Sequence, residues 1–224
     1  MILQNVHNTG KEQYSGKPTV LNIFRVERQG EADAMRESGI GNRWLLWHGT
    51  RSVNLLSILS SGLQVTPIGT ELNGSLFGKG IYFADMFTKS SHYTGEGQRQ
   101  YLLLCEVALG NIHSVNTHNM NEKMAKLPQG FHSLKTADSR YEPNTGATIL
   151  WQNRFVPLGE RTDQILEKNR YHALDYNEYI VFNSQQVSIK YLVEFTTKSK
   201  INQDNDSVRD SDSNSDDSDD GSDS

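Results

Sequence analysis

Tyr101 to Leu109 reads Tyr-Leu-Leu-Leu-Cys-Glu-Val-Ala-Leu, a nearly continuous apolar run broken only by Glu106. Side chains along a strand alternate between its two faces, so a run that is apolar at both parities must be covered on both sides. It predicts a central strand, and the rest of the domain must supply two covering layers. With 224 residues and 35% hydrophobic content, the chain is long enough for one globular domain with a genuine core. Cys105, the single cysteine, lies inside this run and reads as a buried structural thiol; it has no partner for an internal disulfide.

The remaining elements arrange themselves around that strand. Leu21 to Glu27 alternates apolar and polar and predicts a strand, Glu31 to Ser38 a short helix ending at Gly39, and Trp44 to Trp47 a buried strand. Thr50 or Ser52 can cap a helix carrying Leu55, Leu56, Ile58 and Leu59, with Gly62 as its stop. Gln64 to Ser75 reads as a ligand-covering loop, Gly80 to Phe83 as a short strand and Met86 to Tyr93 as a helical turn or two. After weaker strands between Asn111 and Asn177, Tyr179 to Phe182 and Val187 to Phe195 close the domain. Strands dominate, helices are few, and no alternating strand–helix rhythm appears.

The net charge of −5 is unevenly spread: Asn202 to Ser224 holds nine aspartates against Arg209, which is −8, and leaves the remainder at +3. No residue after Val208 is apolar, so nothing offsets the entropy of ordering this tail. It reads as a disordered solubilising segment whose serines suit phosphorylation. The N-terminus lacks a basic stretch followed by a sustained apolar region, and no run approaches the roughly 20 residues needed to span a bilayer. A protein that is neither secreted nor membrane-spanning is expected.

Three blocks set polar or glycine residues beside short apolar runs: Arg43-Trp-Leu-Leu-Trp-His-Gly-Thr-Arg51, Gly78-Lys-Gly-Ile-Tyr-Phe-Ala-Asp85 and Tyr176-Asn-Glu-Tyr-Ile-Val-Phe182. Such junctions mark strand ends that carry a site, and three of them suggest one shared cleft. Competing motifs fail on spacing. A phosphate loop needs glycine at Asn73 and a hydroxyl residue at Gly80; a dinucleotide fingerprint starting at Gly78 needs glycine at Phe83. One cysteine excludes a Cys-rich zinc site, His113 and His118 lack an acidic helix partner, and no Gly-x-Ser-x-Gly elbow is present. No metal site is expected.

In these blocks the chain resembles the catalytic domain of the poly(ADP-ribose) polymerases, within the diphtheria-toxin-like ADP-ribosyltransferases, from about Leu21 to Phe195. The resemblance implies an α+β domain of two packed, mainly antiparallel sheets with few helices over residues 21–197, after a partly ordered lead-in over 1–20 and before the acidic tail at 198–224. It implies an NAD-dependent transferase that releases nicotinamide and builds ADP-ribose chains on protein acceptors, itself among them, and nuclear residence with a link to DNA repair. The family's His, Tyr and Glu signature falls on His48, Tyr82 and Glu178. Departure of nicotinamide leaves positive charge on the ribose, which a carboxylate in a water-poor pocket stabilises; Glu178 is the candidate, and by resemblance it also orients the acceptor. His48 and Gly49 are expected to hold a ribose hydroxyl and the carboxamide, Tyr82 and Tyr93 to enclose the flat ring, and Ser90 to bind its amide. Thr50 and Asn54 fall near the ribose and adenosine portions, Phe83 and Ala84 complete the NAD-binding set, and Lys89 and Tyr176 fall on the acceptor side.

Transfer of single ADP-ribose units, or a catalytically silent NAD or ADP-ribose reader, are the alternatives. The chain departs from the family at Gln64, where relatives usually carry an arginine, at Asp175, where an apolar residue lines the acceptor site, and at Thr50, usually serine. Only about twenty residues precede the first expected strand, with no DNA-reading module among them, so NAD access is expected to be free of gating by DNA.

Overall fold

The computed structural model describes residues 1–10, 17–65, 76–116, 127–164 and 174–197. The apolar run becomes β4 (Gln100–Ala108), paired antiparallel with β2 (Arg43–Gly49) on one side and β13 (Val187–Thr197) on the other. β1 (Pro18–Arg25) borders β13, and the hairpin of β8 (Thr148–Trp151) and β9 (Arg154–Pro157) extends beyond β2, giving six strands in the order β1-β13-β4-β2-β9-β8. Gln152 and Asn153 turn that hairpin with φ of 48° and 61°, the left-handed pair that matches strand twist.

A second sheet runs β3 (Ile81–Phe83), β12 (Tyr179–Val181), β6 (Ser133–Thr136), β5 (Ile112–Val115). A third, smaller one runs β10 (Arg161–Asp163), β7 (Ser139–Pro143), β11 (Leu174–Tyr176). The two expected packed sheets are the first two; the third arises from the stretch 111–177, where local patterning was weakest. The class is α+β.

Both faces of β4 are covered, as its composition demands. On one face Leu46, Leu103, Cys105 and Val107 meet Ile81, Phe83, Tyr179 and Val181 of the four-stranded sheet. On the other, Leu45, Trp47, Leu102, Leu104 and Phe195 are capped by α1 (Ile2–Thr9) and α4 (Phe87–Ser91) through Val6 and Phe87. Cys105 is fully buried, and burial pushes its thiol well above the ordinary range, so it serves packing.

Within residues 1–20, expected as a partly ordered lead-in, α1 occupies Ile2–Thr9, and β1 starts at Pro18, three residues before the expected strand. Besides Val6, the helix docks through polar side chains, which a hydrophobic pattern does not reveal. Asn5 Nδ2 donates to the Pro157 carbonyl and Asn5 Oδ1 accepts from Trp47 Nε1 at 2.7 Å. Thr9 Oγ1 accepts from Phe87 N at 3.0 Å.

The helix after β2 has a 3₁₀ lead over Ser52–Asn54, then α3 (Leu55–Ser61), with Gly62 ending it at φ 80°. Neither Thr50 nor Ser52 caps it; the Thr50 hydroxyl instead accepts from Asn54 Nδ2 at 3.0 Å. α2 (Glu31–Glu37) buries Met35. Most of the Gln64–Ser75 loop and the acidic tail lie outside the described residues.

Candidate active site

The three blocks converge because two backbone links join the sheets beside β2. Trp47 N donates to Ala84 O at 2.8 Å and Ala84 N to Trp47 O at 2.9 Å, an isolated antiparallel bridge between the end of β2 and the residue after β3. β12 then pairs antiparallel with β3, setting Ile180 opposite Tyr82. His48, Tyr82 and Glu178 therefore line one cleft of about 500 Å³, together with Gly49, Thr50, Asn54, Phe83, Ala84, Lys89, Ser90 and Tyr93.

His48, next to last in β2, has Nδ1 2.8 Å from the Tyr82 carbonyl oxygen. That acceptor requires a proton on Nδ1 and leaves Nε2 as an acceptor in the neutral ring. Burial lowers the pKa of the imidazole, and the Tyr82 carbonyl only partly restores it. The ring is thus neutral near pH 7, suited to receiving a hydroxyl hydrogen bond.

The Tyr82 phenol is held at both ends of its hydrogen-bonding capacity. Its Oη donates to Gly78 O at 2.7 Å and accepts from Phe77 N at 3.1 Å. Burial first, then the nearby Glu178 and Tyr93, push its pKa to about 12 against the opposing pull of the Phe77 N–H. The phenol stays neutral and the ring is fixed as a wall. Tyr93, expected on the helix, lies just past α4 in a turn and is half exposed.

Two glycines allow the walls to approach. A Cβ on Gly49 would lie 1.8 Å from the Ser90 carbonyl oxygen, and one on Gly80 would lie 2.2 Å from Ile180 Cγ2. Only a residue without a side chain fits either place, and the Gly49 backbone is left bare toward the cleft.

Glu178 precedes β12 and is 7% exposed. Its N–H donates to Thr136 Oγ1 at 2.9 Å, and its carbonyl accepts from Thr136 N at 3.1 Å. Its carboxylate meets Lys89 Nζ at 2.6 Å. Burial by itself lowers the lysine's pKa, but attraction to Glu178 and their hydrogen bond more than offset that and raise it. The same ammonium lies 5.4 Å from the Tyr93 ring centre. The pair is a fixed carboxylate with its counter-ion at one end of the cleft, an arrangement able to face positive charge developing on a ligand.

Tyr176 stands outside the cleft lining. It is buried beside the site, its ring 5.6 Å from Tyr141 and 6.1 Å from His92, while Asp175 is exposed on β11. Sequence reasoning missed the α3 contribution: Ser57 and Ser61 also line the cleft, on the helix face whose hydroxyl spacing was available to read. Gln64 lines it as well, its amide donating to Ser61 O at 2.8 Å. Asp85 was also missed. Buried beneath the site, its Oδ2 accepts from Asn177 Nδ2 at 2.9 Å and Tyr179 Oη at 3.1 Å. Among the described residues no group of three or more His, Cys, Asp or Glu side chains is disposed to hold a metal, and no helix is long and apolar enough to cross a membrane.

Comparison with known proteins identifies the family. Residues 1–197 match the family model described as the poly(ADP-ribose) polymerase catalytic domain. The chain is 40% identical over 194 residues to poly [ADP-ribose] polymerase 2 of Homo sapiens, covering 85% of this chain and 32% of the relative. It is 39% identical over 198 residues to poly [ADP-ribose] polymerase 1 of Danio rerio, covering 86% and 19%. Against poly [ADP-ribose] polymerase 2 of Arabidopsis thaliana the figures are 38% over 200 residues, 87% and 30%. The chain spans less than a third of the length of these relatives.

Proposed function

Since the chain belongs to the poly(ADP-ribose) polymerase catalytic-domain family, we propose that it cleaves NAD at the nicotinamide–ribose bond and transfers ADP-ribose to protein acceptors, extending chains. The observation that carries this reading is the buried Glu178 carboxylate sharing one cleft with the neutral His48 and the fixed Tyr82 ring.

The residues fit the substrate. Bare backbone at Gly49 and the flat Tyr82 wall suit a carboxamide-bearing aromatic ring, with Ser90 beside them to bind its amide. His48 Nε2 accepts from a ribose hydroxyl, and Thr50 and Asn54 take up the ribose and adenosine side. The electrons of the breaking C–N bond leave with neutral nicotinamide, and Glu178 opposes the positive charge that grows on the ribose carbon. The acceptor hydroxyl, oriented by Glu178, forms the new C–O bond to the ribose carbon and releases its proton to solvent, while Lys89 holds the carboxylate in place at 2.6 Å. Lys89 lies on the acceptor side, and Tyr176, buried beside the cleft against Tyr141 and His92, supports that side from behind.

Acceptors include the protein itself, and residence in the nucleus follows from kinship; imaging of the tagged chain tests the latter. The decisive experiment is incubation of the full and tail-deleted chains with labelled NAD alone, following free nicotinamide and gel mobility. A ladder of lengthening products is expected. A single shifted band indicates transfer of single units, and absence of nicotinamide release removes the enzymatic reading.

A further inference from the structure

We propose that Asp85 is a positioning residue for Glu178, acting through the two residues that flank it, an inference that rests on the role given to Glu178 above. Asn177 and Tyr179 both donate to one atom, Asp85 Oδ2, at 2.9 and 3.1 Å. Extended chain sends residues i and i+2 to one side and the residue between them to the other. Pinning both flanks to a single oxygen fixes the backbone on either side of Glu178 and leaves its carboxylate directed the opposite way, where Lys89 meets it at 2.6 Å.

The anchor is itself fixed to the rest of the site. Asp85 follows Ala84, whose backbone closes the bridge to Trp47 next to His48, and Tyr179 pairs with Phe83 across β12 and β3. One carboxylate thus joins the block bearing Glu178 to the block bearing Tyr82. Asp85, Asn177 and Tyr179 are all nearly inaccessible, at 3%, 1% and 3% exposure. Asp85 Oδ1 and Asn177 Oδ1 find no hydrogen-bond partner among the described residues. A buried carboxylate that is only partly satisfied costs stability that an apolar side chain would not. Its presence in a packed core therefore points to a role other than cohesion.

Charges on neighbouring strands act on the same group: Lys135 of β6, whose ammonium lies 5.4 Å from the Tyr179 ring centre, favours the ionised form, and Glu142 of β7 opposes it. Two further side chains near this network, Thr136 and Ser139, are bonded to each other at 3.0 Å, and Thr136 also holds the Glu178 backbone. The loop is therefore tethered from the Asp85 side through side chains and from the β6 side through the main chain.

The test uses the full chain with NAD alone. Asp85→Leu roughly keeps the volume and removes the one oxygen that accepts from both Asn177 and Tyr179, and a small displacement of a reacting group costs about 10²-fold. The expected result is nicotinamide release with kcat about 10²-fold lower and KM for NAD within about twofold, because the donor contacts of His48 and Ser90 are untouched. Tyr179→Phe removes one of the two donors and should lower kcat by a smaller factor, and the double variant should fall no further than Asp85→Leu alone. A folded Asp85→Leu protein with wild-type kcat overturns the proposal, as does a loss confined to KM. Should Asp85→Leu fail to fold, Tyr179→Phe decides: unchanged kcat in that protein overturns the link. If wild-type protein releases no nicotinamide, the transferase reading fails separately, and ¹³C NMR of the Glu178 carboxyl then reads the link directly. A changed Glu178 titration in Tyr179→Phe supports it and an unchanged one refutes it.

Discussion

Gly49 and Ser90 are packed so closely that a methyl group on Gly49 would sit 1.8 Å from the Ser90 carbonyl oxygen, well inside contact distance with backbone that cannot swing away. This apposition of the end of β2 with α4 makes the cleft narrow, and it sets the first sequence block against the helix that follows the second in a way that tolerates no side chain at Gly49.

Gly49→Ala is therefore expected to push α4 away from β2. Overpacking of this kind typically costs about 1–3 kcal/mol, and the nicotinamide end of the cleft should open with it. Urea denaturation together with NAD-induced thermal stabilisation checks this; wild-type stability with wild-type NAD protection would refute the packing argument.

Glu178→Gln keeps the side-chain volume and removes the charge that faces both Lys89 and the substrate. Chain elongation should be abolished while NAD binding survives. Gel ladders from labelled NAD, beside a direct binding titration, measure the two separately, and products of undiminished length would refute the role given to Glu178.

Lys89→Met retains the buried stem but strips the ammonium from its 2.6 Å contact with Glu178. Loss of one well-aimed charged contact in a site lowers rate by about 10²–10³, and elongation should suffer more than nicotinamide release if the pair orients the acceptor. Comparison of initial nicotinamide release with product length decides it.

Burial raises the Asp85 carboxyl to about 6 against a reference of 3.8, partly opposed by the Asn177 amide, Lys135 and the Tyr179 hydroxyl. Between about pH 4 and pH 6 the folded protein keeps a proton there that the unfolded chain has released, so this group's contribution to stability declines as pH rises through that window. The loss is on the order of 2–3 kcal/mol at most, and Asp85→Asn should abolish it. His48, whose pKa is lowered, has the opposite sign and cancels in the difference between the two proteins. Denaturation midpoints of both proteins from pH 4 to 7 supply the measurement; parallel curves would count against the assignment.

Asn5→Ala should loosen α1. It leaves the buried Trp47 N–H and the Pro157 carbonyl without their partner, and an orphaned buried polar group costs about 1–3 kcal/mol. Equilibrium unfolding checks the magnitude.

The strands were legible because burial has a period. The run 101–109, apolar at both parities, became the doubly covered β4; the breakers at Gly62 and Gly80 fell at a helix end and a strand start. The three blocks that meet at the cleft were legible too, since glycine and polar residues at strand ends are a local signal, whereas the share of α3 through Ser57 and Ser61 was missed, and Tyr176 stays outside the lining. The helix α1 was not, because it docks through Asn5 and Thr9, whose polarity reads as solvent exposure until their partners are seen.

The amino-acid order alone determined most of the elements and the central strand, because each depends on neighbours a few residues away. Only the tertiary structure decided who pairs with whom: Glu178 with Lys89, Trp47 with Ala84, and Asp85 with an amide 92 positions and a phenol 94 positions further on. Hydrogen bonds and ion pairs act over a few ångströms in space, and nothing in local periodicity records which distant polar atom the register of two sheets will bring within that reach.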